Sequence, residues 1–160
     1  MTTLYAALKQ HYLDNPDFES PDEFADPYRT LLHGHDLIHI VYGADTSLWG
    51  ENCAELITML KTDFGAWNYL QFWNSPQGRK TVNRFVRMLG IGRILLALAM
   101  LPVALVYVLF RTRRQTQTFP FYEYIGDTKT SIEDIRSKYN IVPFNSTLLA
   151  NSEETNAYQN

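Results

Sequence analysis

The feature that most constrains the fold of this chain is a run of 17 uncharged, strongly apolar residues at 94–110. As a helix, this run would be about 26 Å long, at the lower edge of the length that crosses a bilayer. Pro102 lies at its centre and would bend that helix or divide it into a hairpin. We expect the run to face lipid, and a single membrane span and a buried core helix are the alternatives.

The charged residues are distributed unevenly, although the formal net charge of the 160 residues is only -3. Residues 1–60 contain 2 Lys or Arg and 10 Asp or Glu, residues 61–120 contain 9 and 1, and residues 121–160 contain 3 and 6. The basic middle third also contains the apolar run, which favours a membrane surface; because the pI is about 5.8, we expect no nucleic acid partner. The residues predicted to meet the membrane surface, with a solvated face as the alternative, are Arg79, Lys80, Arg84, Arg87, Arg111, Arg113 and Arg114.

The composition excludes two broad classes of protein. Hydrophobic residues make up 46% of the chain and aromatic residues 14%, which is too much for a disordered protein. The single cysteine, Cys53, excludes a disulfide scaffold. The first residues do not resemble a signal peptide, so we expect a cytoplasmic location. No glycine-rich phosphate loop is visible in the sequence, and we expect no nucleotide cofactor.

Helical patterns separated by Gly and Pro extend over almost the whole chain. We therefore predict an all-α fold, with one compact multi-helix domain over residues 1–144 and a polar, disordered tail over 145–160. The stretch PFYEYIG at 120–126 is expected to be irregular. The first predicted helix covers residues 3–13, the second starts at Asp26–Pro27 and ends at Tyr42, and the third is capped by Ser47 and continues to Trp67 or Trp73. A fourth helix runs from Pro76 to Gly90 or Gly92, and the apolar run forms a fifth. A short last helix starts at a Thr130–Glu133 capping box and ends near Tyr139 or Asn140.

Three of the four histidines lie within seven residues, in the segment HGHDLIHIVYG at 33–43. His35 and His39 are four residues apart, so on a helix both imidazoles aim at one point, as two ligands of one metal do. Other residues on the same helix face, which is expected to point inward, are Tyr28, Leu32 and Tyr42. His33 and His11 lie off this pattern and are assigned no role.

Two carboxylates are expected beside the histidine pair. Asp36 follows His35 directly, and Glu51 lies just inside the next predicted helix, which should pack antiparallel because the connection at 43–46 is short. Together with His39, these residues offer two nitrogens and two carboxylates, a set that suits zinc and is also similar to mixed sites of non-haem iron. A hydrogen-bonded network of protonated histidines and carboxylates is the alternative.

The spacing His35-Asp36-x-x-His39, followed after eleven residues by Glu51, resembles the HDxxHx(11)E signature of the Coq-four family of ubiquinone (coenzyme Q) biosynthesis proteins. Gly43 and Gly50 also agree with the family pattern. The segment PFYEYIGDTKTSIEDIRSKYNI at 120–141 resembles the closing segment of the family. Because family members are usually longer before the signature, the chain resembles a shortened member.

The resemblance implies a peripheral membrane protein that acts at a divalent metal, with zinc expected and iron as the alternative. It implies that His35, Asp36, His39 and Glu51 are both the metal ligands and the catalytic residues. The substrate would be a prenylated hydroxybenzoate intermediate, and the chemistry decarboxylation with hydroxylation at the C1 carbon. The alternatives are a non-catalytic isoprenoid-binding scaffold of the biosynthetic complex and a dimeric membrane-associated protein whose polar cluster holds no metal.

The resemblance also implies partners and a location. We expect a homodimer at the cytoplasmic face of the inner membrane, in contact with an isoprenoid lipid and with other quinone biosynthesis proteins. The basic helix at 76–89 would lie on anionic head groups, while the apolar run would take up the prenyl tail. The residues predicted to bind this tail are Ile94, Leu98, Leu101, Leu105 and Leu109.

Overall fold

The computed structural model describes residues 2–16, 21, 28–127 and 129–145, but not the side chains of Gln77, Thr81, Arg84, Phe85 and Met88. Its helices are α1 (Leu4–Asp14), α2 (Tyr28–Tyr42), α3 (Leu48–Lys61), α4 (Gly65–Asn74), α5 (Pro76–Arg111) and α6 (Ile132–Tyr139). Across these residues the only β-type pairings are two isolated bridges, so the prediction of an all-α fold is confirmed. The predicted Asp26–Pro27 helix start and the polar tail from residue 146 lie outside the described residues.

Helix α3 is central to the fold and packs against α2, α4 and α5. Its Cys53 and Ile57 are fully buried, as is Val41 of α2, so these helices share one core. The closing segment completes that core through Phe119 and Tyr139, whose ring centroids are 5.5 Å apart. Burial of each large aliphatic side chain stabilises the fold by about 1.5–3 kcal/mol.

The connection between α2 and α3 is short and well defined. Helix α2 ends at Tyr42 and is followed by Gly43, which has a φ of 64°. The Ser47 side chain accepts a hydrogen bond from the backbone N–H of Gly50 at 3.2 Å. The predicted Ser47 cap is therefore confirmed. Because so few residues join the two helices, α3 folds back against α2 and brings its first turn to the histidine face.

The prediction that α3 continues to Trp67 or Trp73 is wrong. The helix ends at Lys61, because Thr62 takes an extended conformation and its segment pairs with the residues after α5. The N–H of Phe119 donates to the carbonyl of Lys61 at 2.8 Å, and the N–H of Asp63 donates to the carbonyl of Phe119 at 3.1 Å. This long-range pairing competes with the helix, and α4 begins separately at Gly65.

Helix α5 has two parts, a basic half (76–89) and an apolar half (91–111), which meet at Gly90. Gly90 has φ 75° and ψ 153°, a backbone conformation that only glycine adopts readily. The expected break near Gly90 is thus confirmed. Apart from Gly90 the dihedrals of α5 are helical, so the chain does not form the hairpin considered at Pro102.

Helix α6 begins one residue later than the predicted capping box. Its N-cap is Ser131, whose side chain accepts from the N–H of Asp134 at 3.1 Å, whereas the Thr130 hydroxyl hydrogen-bonds to the Asp127 carboxylate. Arg136 then joins α6 to the end of α2, because its guanidinium donates to the carbonyls of Val41 at 2.8 Å and Ile40 at 2.9 Å. The closing segment therefore belongs to the same body as the histidine face.

Candidate metal site

Three potential metal ligands meet where α2 faces the first turn of α3. His35 Nε2 lies 3.1 Å from His39 Nε2 and 3.3 Å from Glu51 Oε2, and His39 Nε2 lies 3.5 Å from Glu51 Oε1. Two ligand atoms of a tetrahedral zinc ion, each about 2.0–2.1 Å from the metal, are roughly 3.3 Å apart. The observed separations match this value, so the group could hold one metal ion.

The close approach of the loop to α3 positions Glu51. A Cβ atom placed on Gly50 would lie 2.0 Å from the backbone oxygen of Asp45, a distance that no side chain tolerates. Glycine at this position lets the loop fold tightly over the start of the helix. The next residue, Glu51, is then held against the two imidazoles.

The tautomer of His39 is set by a backbone carbonyl. His39 Nδ1 lies 3.1 Å from the oxygen of Ala44, and because a carbonyl can only accept, Nδ1 carries the proton. In the neutral ring, Nε2 is then left with its lone pair directed toward His35 and Glu51. A second hydrogen bond of this kind is the usual support of a metal-binding histidine.

The electrostatics of the group show that it attracts positive charge. Burial alone would lower the pKa of His35, but its hydrogen bond with Glu51 and the nearby carboxylates, Glu55 first among them, raise it to about 9. Burial alone would raise the pKa of Glu51, but the hydrogen bond with His35 and the adjacent imidazole of His39 lower it far below its usual range. Without a metal ion, a proton on His35 takes the cation's place.

Asp36 is not part of this group. It is buried, and its carboxylate accepts a hydrogen bond from the hydroxyl of Tyr12 in α1 at 2.6 Å. Neighbouring residues on a helix point about 100° apart, so Asp36 cannot share the direction of His35. Burial raises the pKa of Asp36, which the Tyr12 hydrogen bond partly opposes. Its predicted role as a ligand is replaced in the structure by a contact that holds α1 against α2.

Helix α1 contributes residues that sequence reasoning missed. The ring of His11 stacks on His39 with 5.9 Å between centroids, and Tyr12 binds Asp36 as described. Both contacts depend on how α1 packs on α2, for which the sequence carries no local signal. His33, on the other hand, is half-buried and lies outside the three-residue group, as expected.

The group is open on the Glu51 side. The side chain of His39 is 1% exposed and that of His35 19%, whereas that of Glu51 is 36% exposed. A ligand would therefore approach past Glu51 and α3, with His39 at the back. Two histidines and one carboxylate leave at least one coordination position of a zinc or iron ion for such a ligand.

The five residues predicted to bind a lipid tail do not share one environment. Ile94 and Leu101 are half-buried toward the core, whereas Leu98, Leu105 and Leu109 are exposed. The core side of this helix is formed instead by Ala104 and Val108, which are fully buried. The exposed side is broader than the predicted stripe and also includes Ile91, Leu95, Leu96, Val103, Val106 and Phe110.

The basic residues flank this exposed apolar surface. The exposed basic residues are Arg79, Lys80, Arg87, Arg113 and Arg114. Arg84 lies on the same helix, and its side chain is outside the part of the chain that the structure describes. Arg111 differs, because it is half-buried, donates to the carbonyl of Pro143 at 2.5 Å and lies over the ring of Phe144. Arg111 thus anchors the closing segment as well as ending α5.

The segment Leu89–Arg111 is 23 residues long with a mean hydropathy of 2.4, so by length and composition it could cross a membrane. Only 11% of that window is buried, which does not fit the alternative of a buried core helix. Comparison with family models, with curated proteins and with solved structures found no match to this chain.

Proposed function

We propose that this chain is a metal-dependent, membrane-surface protein of ubiquinone biosynthesis that acts on a prenylated hydroxybenzoate. The reaction would be an oxidative decarboxylation, in which the bond between C1 and the carboxyl group breaks, CO2 leaves and a hydroxyl group takes its place, with dioxygen as the oxidant. The observation that carries the proposal is the meeting of His35, His39 and Glu51 at ligand-to-ligand distances of 3.1–3.5 Å. These three residues are also the core of the HDxxHx(11)E pattern that the sequence shares with the family.

The geometry favours a metal over a polar network without one. The two Nε2 atoms face each other at 3.1 Å, and the proton of His39 is committed to Ala44. One proton on His35 Nε2 would have to serve both His39 and Glu51. A cation between the three groups satisfies all of them at once, as the burial of His39 requires.

His35, His39 and Glu51 would hold the metal, with zinc as the expected ion and iron as the alternative. When bound, the ion supplies a Lewis acid for a phenolic carboxylate and, if it is iron, a centre for oxidation. The protein's own contribution is to orient the donors: Ala44 fixes His39, and Gly50 lets Glu51 reach the pair. The substrate carboxylate would reach the metal ion from the side on which Glu51 is exposed.

The substrate's prenyl tail would lie along the exposed apolar half of α5. Helix α3, which carries Glu51, packs directly against α5, and Asn52 donates to the carbonyl of Ala97 at 2.9 Å. A head group at the metal is therefore about one helix diameter, roughly 10 Å, from the apolar surface. A prenylated aromatic acid can span that distance with its tail still in lipid.

A peripheral position at the cytoplasmic face of the inner membrane fits the fold better than a span. The segments before and after the apolar half share one core, for example Val41 with Phe119, and a bilayer crossing would separate them. The exposed arginines and Lys80 would meet anionic head groups. A homodimer and contact with other quinone biosynthesis proteins belong to the same proposal.

Complementation tests the proposal. A strain blocked in ring decarboxylation would receive wild type, Glu51→Gln, or His33→Ala, whose histidine lies outside the metal group. We expect rescue by wild type and His33→Ala but not by Glu51→Gln. Equal rescue by Glu51→Gln would contradict catalysis at this site and support the non-catalytic scaffold, which presents the isoprenoid intermediate to other enzymes.

A further inference from the structure

Helix α4 has an unusual composition for its place in the fold. Four of its ten residues are aromatic, none is charged, and none is buried. Its side chains divide into two faces, because residues 67, 70, 71 and 74 lie on one side of a helix and residues 69, 72 and 73 on the other. The outer face carries Trp67, which is 72% exposed. The inner face carries Tyr69, Phe72 and Trp73, which are only half-buried.

The inner face continues into α2 through a chain of ring contacts. The ring centroids of Tyr69 and Trp73 are 5.7 Å apart, and those of Trp73 and Phe72 are 5.3 Å apart. Phe72 then stacks on Tyr28 of α2 at 5.7 Å with 4° between the ring planes. We name these four residues the aromatic wall: Tyr69, Trp73, Phe72 and Tyr28.

The aromatic wall extends from the metal group along α2. At one end, Tyr69 lies within the field of Glu55 and Glu51, and burial together with these carboxylates raises its pKa. At the other end, Tyr28 shares the helix face of His35, two turns earlier and about 10 Å along the axis. Helix α4 also packs against α3, the helix that carries Glu51, whose side chain is 36% exposed.

We propose that the aromatic wall is a specificity-determining surface that receives the flat face of the substrate's aromatic ring while the ring carboxylate reaches the His35–His39–Glu51 group. This inference rests on the proposed function and adds the residues that recognise the ring. Half-buried rings suit this role, because they leave apolar π surface uncovered near a group whose bound metal ion would attract the ring carboxylate. Stacking and edge-to-face contacts favour an aromatic ring over a saturated one by about 0.5–1.5 kcal/mol, or roughly two- to tenfold in affinity.

The test compares two acids that differ only in the ring, 4-hydroxybenzoate and trans-4-hydroxycyclohexanecarboxylate. Their dissociation constants are measured by NMR titration on the zinc-loaded protein. The wild type should bind the aromatic acid roughly two- to tenfold more tightly. Trp73→Leu and Phe72→Leu should each reduce this ratio to about one. The matched control is Trp67→Leu, which removes the same side chain from the opposite face of α4 and should leave the ratio unchanged.

Zinc stoichiometry and a thermal melt are recorded for every variant, and if Trp73→Leu does not fold, Phe72→Leu and Tyr28→Leu decide. A ratio of about one in wild type, or a ratio unchanged in the folded wall variants, would overturn the inference. Loss of the ratio in Trp67→Leu as well would also overturn it. Zinc binding without ring preference defeats this inference alone, whereas absence of zinc binding in wild type defeats the proposed function as well.

Discussion

Helix α3 and the apolar half of α5 pack against each other, but they are unusual in opposite ways. Helix α3 places a charged group next to a buried one, whereas the apolar half of α5 places apolar side chains on the outside. Helix α3 directs the carboxylate of Glu51 toward a buried histidine, where charge is costly. The apolar half of α5 instead presents Leu95, Leu98 and Val106 to the outside, where large apolar surfaces are rare in soluble proteins. In the proposed function, a ligand completes each region.

The two regions call for different ligands. The carboxylate and imidazoles of the first require positive charge, supplied by a metal ion or by a proton on His35. The apolar half of α5 suits an apolar environment with anions at its border, because the cationic Arg93 and Arg113 lie near its ends. A lipid bilayer has both properties. Because α3 packs against α5, the metal group and the exposed apolar surface are about one helix diameter apart.

The largest effect is expected when a ligand is removed from the metal group. His39→Ala should weaken zinc binding by more than about 100-fold, beyond the 10- to 100-fold that loss of a supporting residue costs. The measurement is a competition titration with a chromophoric chelator. His33→Ala, on the same helix but outside the group, should bind zinc as wild type does. Similar affinities in the two variants would rule out the ligand assignment.

The second way is to remove the apolar region while leaving the metal group intact. Leu98→Glu combined with Val106→Glu should reduce binding to anionic vesicles about 100-fold or more, because burial of each side chain contributes about 1.5–3 kcal/mol. Val106 is 68% exposed, so the folded structure should tolerate the change. Flotation with phosphatidylglycerol vesicles measures the effect. Leu13→Glu, on the similarly exposed Leu13 of α1, serves as the control, and an equal loss there would contradict the assigned surface.

The protonation of His35 provides a third test of the metal group. With a pKa of about 9, His35 is protonated at pH 7, and a metal ion must displace that proton. Zinc binding at pH 7 should release about one proton per ion, and affinity should rise about tenfold per pH unit until pH approaches 9. Titration in buffers of different ionisation enthalpy counts the protons. No proton release would show that His35 is neutral or is not a ligand.

The smallest expected effect concerns the joint between the two regions. Asn52 is buried and donates to Ala97 of α5, so Asn52→Leu should lower the free energy of unfolding by about 1 kcal/mol. Denaturant unfolding measures this change. Asn74→Ala removes an exposed hydrogen bond within α4 and should cost less than about 0.5 kcal/mol. An equal loss of unfolding free energy in both variants would show that the hydrogen bond between Asn52 and Ala97 has no special role in joining α3 to α5.

Local features of the structure were predictable from sequence. The pair His35 and His39 follows from a four-residue spacing on a helix, and the Ser47 cap from its place before an apolar pattern. The break at Gly90 follows from glycine's conformational freedom. Each of these depends on residues within one or two turns of one another, which is the range over which sequence patterns are informative.

Long-range features were not predictable in the same way. Asp36 was predicted to be a ligand, but in the structure it accepts a hydrogen bond from Tyr12 of α1. Helix α3 ends earlier than predicted because Phe119, far along the chain, pairs with Lys61. The exposed width of α5 likewise depends on which side packs against α3. Tertiary packing decides such contacts, and a local pattern carries no record of it.

We propose above that one divalent metal ion binds at His35, His39 and Glu51. The most direct test is elemental analysis of the protein purified from membranes without added metal, in wild type and in the double variant His35→Ala, His39→Ala. Our account predicts about one zinc or iron ion per wild-type chain and a loss of at least about tenfold in the variant. A wild-type content near zero, or a content that the two substitutions leave unchanged, would contradict it.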